Sequence, residues 1–184
     1  MNESLLAGRY AKALLAYAEE VGEADALYPL MGQLEGRLRS DREAGLVVDN
    51  PTLSERTRSE WVVSLVGAEP PRSFCRFVDL VFCHNRERLL GEMARAYRRL
   101  YRRHRGLVYA RLVATTMPNS EELARLKELI HNKCGGEVEL EVVVNREILG
   151  GFILHVDGKV LDGSARGAIE QIRRQFIARN RNVV

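Results

Sequence analysis

The stretch ILGGFILHVDGKVLDGSARGAIEQI, Ile148 to Ile172, decides how the second part of the chain folds. Apolar residues alternate with other residues in GFILHV, which predicts a strand. The Asp157-Gly158 step that follows has the favoured composition of a two-residue hairpin turn with positive φ, so KVL is expected to return as the partner strand. Gly150-Gly151 precedes the first strand and allows the chain to turn sharply into the hairpin.

A last helix is predicted after the hairpin. Asp162-Gly163-Ser164 provides a turn and a helix cap, and the apolar residues that follow have helical spacing. The inner face of this helix is predicted to consist of Ala165, Ala168, Ile169, Ile172 and Phe176.

The same glycines could belong to a phosphate site, because glycines ahead of a helix can cradle a phosphate. A P-loop needs Ser or Thr after its Gly-Lys step, whereas Val160 follows Gly158-Lys159 here. No GxGxxG lies between a predicted strand and a helix either. The glycines of this stretch are therefore interpreted as structural, because they allow the turns of the fold, and no nucleotide site is predicted.

Between Gly106 and Val144 the pattern predicts a strand, a helix and another strand. GLVYARLVATT alternates, and Asn119 with Glu122 then resembles a helix cap. Gly135-Gly136 ends that helix, and EVELEVVV alternates again. Residues 106–184 are thus expected to form a small α/β domain, a mixed sheet with two helices.

Residues 1–105 have helical periodicity almost throughout, which predicts an all-α bundle of six helices. The second helix is expected to run from about Ala26 to Arg39, with its start left open because Pro29 fits only in a first turn. Thr52-Leu53-Ser54-Glu55 matches a capping box that opens the fourth helix, and Pro70-Pro71 suits the first turn of the fifth. The predicted fold class is α+β, with this bundle at 1–105 and the α/β domain at 106–184.

The first predicted helix has a wider apolar arc than one core contact needs. One set of apolar residues is Leu6, Tyr10, Ala13, Leu14, Tyr17 and Val21. A second set lies beside it: Ala7, Ala11, Leu15 and Ala18. The surplus face indicates a place for another helix, and the alternative is a central helix surrounded by its own bundle. Periodicity leaves both open.

The fifth helix carries a second apolar stripe that could border the same place. Its members are Phe74, Phe77, Val78, Val81 and Phe82. Tyr10, Ala13, Leu14 and Tyr17 of the first helix, with Phe77, Val78, Val81 and Phe82, are the candidates for a groove that binds an amphipathic helix. The pattern does not separate groove residues from core residues.

The sixth helix contains the densest charge, RAYRRLYRRHRG, Arg95 to Gly106. Arginines mixed with tyrosines can bind nucleic acid through phosphate pairing and base stacking. However, Arg95, Arg98, Arg99, Arg102 and Arg103 fall on the expected outer face, in the half of the helix where cations favour the dipole. We therefore expect a solvated or acid-pairing face, with a nucleic-acid-binding module as the alternative.

The composition is ordinary for a soluble protein, and a small enzyme with an unrecognised site is left open as a third hypothesis. The chain has 184 residues, a net charge of +3 and no apolar run near the ~20 residues that cross a bilayer. No secretory signal is recognised, and three cysteines suggest a reducing compartment. Neither a metal site nor a cofactor is predicted, since Cys83-His84 and the His131–Cys134 pair lack a CxxC partner. No catalytic motif is found, so we expect a protein that binds other proteins.

Four motifs in series resemble the delta subunit of bacterial F-type ATP synthase, a family related to the mitochondrial oligomycin-sensitivity-conferring protein. They are GRYAKALLAYA (Gly8 to Ala18), DNPTLSERTR (Asp49 to Arg58), FVDLVFCHNRERLL (Phe77 to Leu90) and NREILGGFILHVDGKVLDGSARGAIEQI (Asn145 to Ile172). The resemblance covers nearly the whole chain in the family's order.

The resemblance implies a non-catalytic peripheral-stalk protein. In the family, the helical bundle holds the N-terminal helix of a catalytic-head alpha subunit, in a groove between its first and fifth helices. The α/β domain meets the C-terminal ends of the b subunits, so the protein couples the static head to the stalk against rotor torque. It implies a place at the cytoplasmic face of the cell membrane, contacted only through the complex, and no nucleic-acid partner.

Overall fold

The computed structural model describes residues 3–40, 42–48, 50, 52–67 and 69–165. The chain divides into two compact units, Met1–His104 and Arg105–Val184. Within the described ranges, no helix combines the length and the apolarity needed to cross a membrane.

The described residues of the N-terminal part form six α-helices, as predicted. They are α1 (Glu3–Glu20), α2 (Ala24–Ser40), α3 (Arg42–Val48), α4 (Glu55–Ser64), α5 (Arg72–Cys83) and α6 (Leu90–Arg105). A single 3-10 turn, Glu87–Leu89, leads into α6.

The bundle core is built from one stripe on each long helix. On α1 the small stripe faces inward, so Ala7, Ala11 and Ala18 are buried together with Leu14. Large side chains fill the centre from the other helices: Leu27, Met31 and Leu34 on α2, Phe74, Val78 and Val81 on α5, and Leu90, Met93 and Tyr97 on α6. Because alanine has no side chain beyond Cβ, this stripe allows close approach, and α1 contacts both α2 and α5.

Pro29 does not lie in a first turn, so that prediction is wrong. Helix α2 begins at Ala24 and contains Pro29 one turn inside. Two hydroxyls of α6 hold the turn ahead of it: Tyr97 donates to the Ala24 carbonyl at 3.1 Å and Tyr101 to the Asp25 carboxylate at 2.8 Å. These contacts offset part of the cost of a proline inside a helix.

Two other helix starts differ from the prediction by one or two residues. Ser54, not Thr52, caps α4, because its hydroxyl accepts from the Thr57 amide at 3.1 Å. Thr52 instead donates to the side chain of Asn50. Helix α5 begins at Arg72, so Pro70-Pro71 precedes the helix, with Pro71 in an extended conformation at the N-cap.

The second unit contains a four-stranded mixed sheet, as predicted. Its elements are β1 (Val108–Ala114), α7 (Ser120–Cys134), β2 (Val138–Val144), a 3-10 turn (Arg146–Ile148), β3 (Phe152–Val156) and β4 (Lys159–Asp162). The strand order is β2-β1-β3-β4, parallel between β1 and β2 and antiparallel elsewhere. Helix α7 connects the parallel pair and packs on one face through Ile130, Leu123 and Leu126. Its predicted Asn119–Glu122 capping box is present.

The turns around the hairpin have the predicted geometry. Asp157 and Gly158 have φ of 45° and 82°, the positive values that a two-residue turn requires. A Cβ on Gly151 would lie 2.1 Å from the Gly163 carbonyl oxygen, so only glycine fits there. The Asp162 carboxylate accepts from the Ser164 amide at 2.9 Å. Ala165 follows this turn; Ala168, Ile169, Ile172 and Phe176 lie outside the described residues.

A buried ion pair ties α4 to the turn before α6. The Arg58 guanidinium donates to the Glu87 carboxylate at 2.7 Å and to the Val48 carbonyl at 2.9 Å, and it lies 5.3 Å from the centre of the Phe82 ring. Only 10% of the Arg58 side chain and 13% of the Glu87 side chain are exposed. Removing one partner would leave a buried charge without its counterion.

We expect Glu87→Ala to lower the free energy of unfolding by about 3 kcal/mol, because it leaves Arg58 unpaired in the interior. The double variant Arg58→Met/Glu87→Leu should lose less, since neither charge remains. Glu60→Ala is the control, because its partner Arg56 is 88% exposed and such pairs contribute about 0.5 kcal/mol. Urea denaturation followed by circular dichroism measures all three. Equal losses in the single and double variants would contradict the assignment.

Candidate functional site

An apolar groove runs between α1 and α5. We call it the α1–α5 groove; its volume is about 400 Å³. It is lined by Arg9, Tyr10, Ala13, Leu14, Tyr17, Ser73, Arg76, Phe77 and Leu80. Apolar side chains form its floor and arginines lie at its edges. An extended apolar concavity on a helical bundle is the shape that accepts an amphipathic helix.

The α1 wall follows from the helix's two apolar stripes. Turning the alanine stripe into the core leaves the larger stripe, Tyr10, Ala13 and Tyr17, on the outer side. Ala13 is exposed, whereas Tyr10 and Tyr17 are half-buried. The two tyrosine rings therefore line the groove and are not part of the buried core. Leu14 lies between the stripes and forms part of the floor.

The α5 wall is formed by the edge of that helix's apolar stripe. Phe77 is buried at the base, and Leu80 is 48% exposed one turn further on. Glu23, just after the end of α1, contacts Ser73 at the start of α5. This contact indicates that the two helices run antiparallel. An exposed leucine beside an apolar floor marks a surface suited to a partner.

A polar pair joins the two walls at one end of the groove. Arg76 of α5 donates a hydrogen bond to the Tyr17 hydroxyl of α1. Its guanidinium also lies 5.8 Å from the centre of the Tyr17 ring, a cation–π arrangement. The pair fixes the spacing of the walls at this end.

Just beyond that pair, Glu23 caps α5 from another element. The N-cap position of α5 is Pro71, which offers no side-chain acceptor. The Glu23 carboxylate accepts from the Ser73 amide at 2.8 Å instead. Hydrogen bonds from Ser73 hold the pKa of Glu23 below its ordinary value, with a further contribution from the nearby Arg72. An acidic group at a helix N-terminus is stabilising because of the helix dipole.

Of the predicted groove residues, Tyr10, Ala13, Leu14, Tyr17 and Phe77 line the groove. Val78, Val81 and Phe82 do not: they are buried in the bundle, on the inner side of α5. That part of the prediction is corrected, because the α5 stripe is a core stripe that borders the groove only at its edge. Sequence analysis missed Arg9, Ser73, Arg76 and Leu80. Leu80 lies three residues after Phe77 and could have been found as an apolar neighbour on the helix surface.

The arginines of α6 pair largely within the bundle. Arg95 contacts the Glu35 carboxylate at 3.1 Å and Arg98 contacts it at 3.4 Å. Arg98 and Arg102 lie over the Tyr28 ring, which stacks on Tyr101 at 4.5 Å. The acid-pairing interpretation is confirmed for Arg95 and Arg98, whereas Arg99 and Arg103 are exposed. Nothing in this arrangement supports the nucleic-acid alternative.

Metal-binding groups do not gather in the part of the chain that the structure describes. No cluster of three His, Cys, Asp or Glu side chains able to hold an ion occurs among those residues. Cys83 and Cys134 are exposed thiols, and the His131 ring contacts the Gly136 carbonyl at 2.6 Å.

Comparison with known proteins gives one consistent result. A family model described as ATP synthase delta (OSCP) subunit matches residues 6–176. An ATP synthase subunit delta from Phocaeicola vulgatus is 34% identical, and one from Bacteroides fragilis is 30% identical, each over 100% of both chains. A chain in the Toxoplasma gondii mitochondrial ATP synthase hexamer has the same fold, with a TM-score of 0.72 at 22% identity, covering 94% of this chain and 97% of that one.

We expect Glu23→Gln to destabilise the bundle at neutral pH and not in acid. A carboxyl whose pKa is lowered by folding adds stability above its unfolded pKa, about 4.3, and loses it as the pH falls through the folded value. The urea midpoints of wild type and variant should therefore differ at pH 7 and converge near pH ~3. Glu20→Gln, an exposed neighbour on α1, is the control. A difference that persists in acid would show that the ionised carboxylate is not the cap.

Proposed function

The chain belongs to the ATP synthase delta (OSCP) subunit family and is a peripheral-stalk subunit of an F-type ATP synthase, and from that premise we propose that its α1–α5 groove holds the N-terminal helix of an alpha subunit of the catalytic head. The observation that carries this proposal is the accessible apolar floor of the groove. The core-facing residues of α1 and α5 are already buried within the bundle, so the floor is additional apolar surface. In this role the protein is a connector without catalytic activity of its own.

The dimensions of the groove suit a helix of about two turns. Its lining on α1 runs from Arg9 to Tyr17, which at 1.5 Å per residue is roughly 12 Å. A helix laid along this length with its apolar face inward would contribute part of the ~1,200–2,000 Å² that stable interfaces bury in total. Both tyrosine rings add large contact areas with few rotatable bonds, a feature of energetically important interface residues.

We expect Ala13→Arg to weaken binding of a peptide that copies the alpha-subunit N-terminus at least about 100-fold, because a long charged side chain would occupy the apolar floor. Ala13 is exposed, so the bundle should keep its stability. Ala16→Arg is the matched control: the same change, on the same helix, at an exposed alanine outside the groove. Calorimetric titration measures both affinities. Equal affinities for the two variants would place the helix elsewhere.

The α/β unit is the proposed contact for the C-terminal ends of the b subunits. Its edge strand β4 exposes apolar side chains on both faces, with Val160 and Leu161 each 59% exposed. Successive residues of a strand point to opposite faces, so this edge offers apolar surface in two directions. Such an edge is unusual for a surface without a partner.

We expect Leu161→Lys to reduce the b chains that co-purify with this protein from detergent-solubilised membranes, by about tenfold, because a charge would replace part of the apolar contact. Leu129→Lys is the matched control, since that leucine is 58% exposed and belongs to α7 instead of β4. Quantitative immunoblotting of the purified complex gives the ratio. Recovery of b chains at the wild-type level would exclude β4 as the contact.

The family places this chain as a peripheral component of a membrane-bound complex. We further propose that it reaches the membrane only through its partners, at the cytoplasmic face. The support for this is the similarity to bacterial delta subunits over the full length of both chains.

A further inference from the structure

We infer that the Tyr17–Arg76 pair is a carboxylate-binding site, and that it selects a partner helix carrying an Asp or Glu beside its apolar stripe. The inference rests on the proposed function, because it concerns which helix the α1–α5 groove accepts. In an otherwise apolar groove, this pair would make binding depend on an acidic side chain of the partner helix.

Hydrogen-bond capacity is the first reason. Arg76 is exposed and donates to the Tyr17 hydroxyl. A guanidinium has five N–H donors in a planar fork, so donors remain after this bond. The Tyr17 oxygen uses a lone pair to accept from Arg76, which leaves its own O–H to donate elsewhere. The pair therefore presents an N–H and an O–H side by side, the arrangement that two carboxylate oxygens accept.

The pair is also held in place before any partner arrives. The guanidinium lies 5.8 Å from the centre of the Tyr17 ring, so the contact combines a hydrogen bond with a cation–π interaction. At the neighbouring turn, the contact between Glu23 and the Ser73 amide fixes the start of α5 against the end of α1. A preorganised donor pair loses little conformational freedom when it binds an anion.

The charges around the groove are the second reason. Among the described residues that line it, Arg9 and Arg76 are the charged ones and none is acidic. Asp79, three residues after Arg76 on α5, does not line the groove, and its carboxylate accepts from Ser59 of α4 at 2.9 Å. Glu23 is held by the Ser73 amide. A groove with positive edges attracts a helix with negative edges and disfavours a basic one.

The position of the pair predicts where the acid lies on the partner. Tyr17 is at the end of the groove opposite to Arg9, eight residues or roughly 12 Å along α1. Apolar residues occupy the floor between them. The selected carboxylate should therefore lie near one end of the partner's buried stripe and at its margin.

A double-mutant cycle tests this with the full chain and a fluorescent peptide copying the N-terminal helix of the alpha subunit from the same organism. Each acidic residue of the peptide is changed in turn to its amide. Arg76→Met, which keeps an apolar stem, should weaken binding of the unmodified peptide about tenfold. One amide peptide should bind the wild-type protein equally weakly and lose nothing further with Arg76→Met. Tyr17→Phe should give a smaller loss, because it keeps the ring and removes the O–H.

Lys12→Met is the matched control, because it removes one exposed positive charge of α1 that does not line the groove. It should change affinity less than twofold. If Arg76→Met and Tyr17→Phe bind all peptides as the wild type does, or if the loss is the same for every amide peptide, the carboxylate site is excluded. The groove is tested separately by Ala13→Arg, which should weaken binding at least about 100-fold whether or not the acid is selected, so the two failures are distinguishable.

Discussion

The close packing of the α1 alanine stripe is the constraint on which the candidate site depends. Ala7, Ala11 and Ala18 are almost fully buried, and their small size brings α1 close to α2 and α5. Tyr10 and Tyr17 flank this stripe on the surface of α1, so when the alanines face the core the two tyrosines lie half-buried at its margin. A larger residue in the stripe would lift α1 from the bundle and change the groove's width. The groove is therefore bordered by the same helix face that packs into the core.

The sequence predicts the elements well and the groove only in part. Local chemistry is sufficient for the Asp157-Gly158 turn and the Asn119–Glu122 cap, since each depends on residues at most three apart. On α5, however, periodicity identifies one apolar face and cannot show where the core ends and a groove begins. Phe77 and Val78 differ by one position, yet only Phe77 borders the groove. That boundary depends on where α1 lies, which is tertiary information.

The errors in the predicted helix starts also arise from contacts that the helical pattern does not contain. Thr52 and Ser54 are both good caps, and the choice is made by Asn50, whose side chain binds Thr52 and leaves Ser54 to bind Thr57. Helix α2 continues past Pro29 because Tyr97 and Tyr101 hold its first turn from more than 70 residues away. The Tyr17–Arg76 pair spans 59 residues in the same way. Contacts over such separations depend on the fold, so no local pattern contains them.

The polar contacts and the apolar floor have different tasks in a stalk protein. Apolar contacts are not directional, so they stabilise a bound helix without fixing the distance between the two walls. The directional contacts lie outside the floor: Glu23 with Ser73 and Tyr17 with Arg76 at one end of the groove, and the buried Arg58–Glu87 pair deeper in the bundle. They hold α5 relative to its neighbours, so the groove is formed without an occupant, and binding of the proposed helix would require little reorganisation. A joint whose walls are fixed independently of its occupant can transmit force with little change of shape, which is what a subunit that resists rotor torque requires.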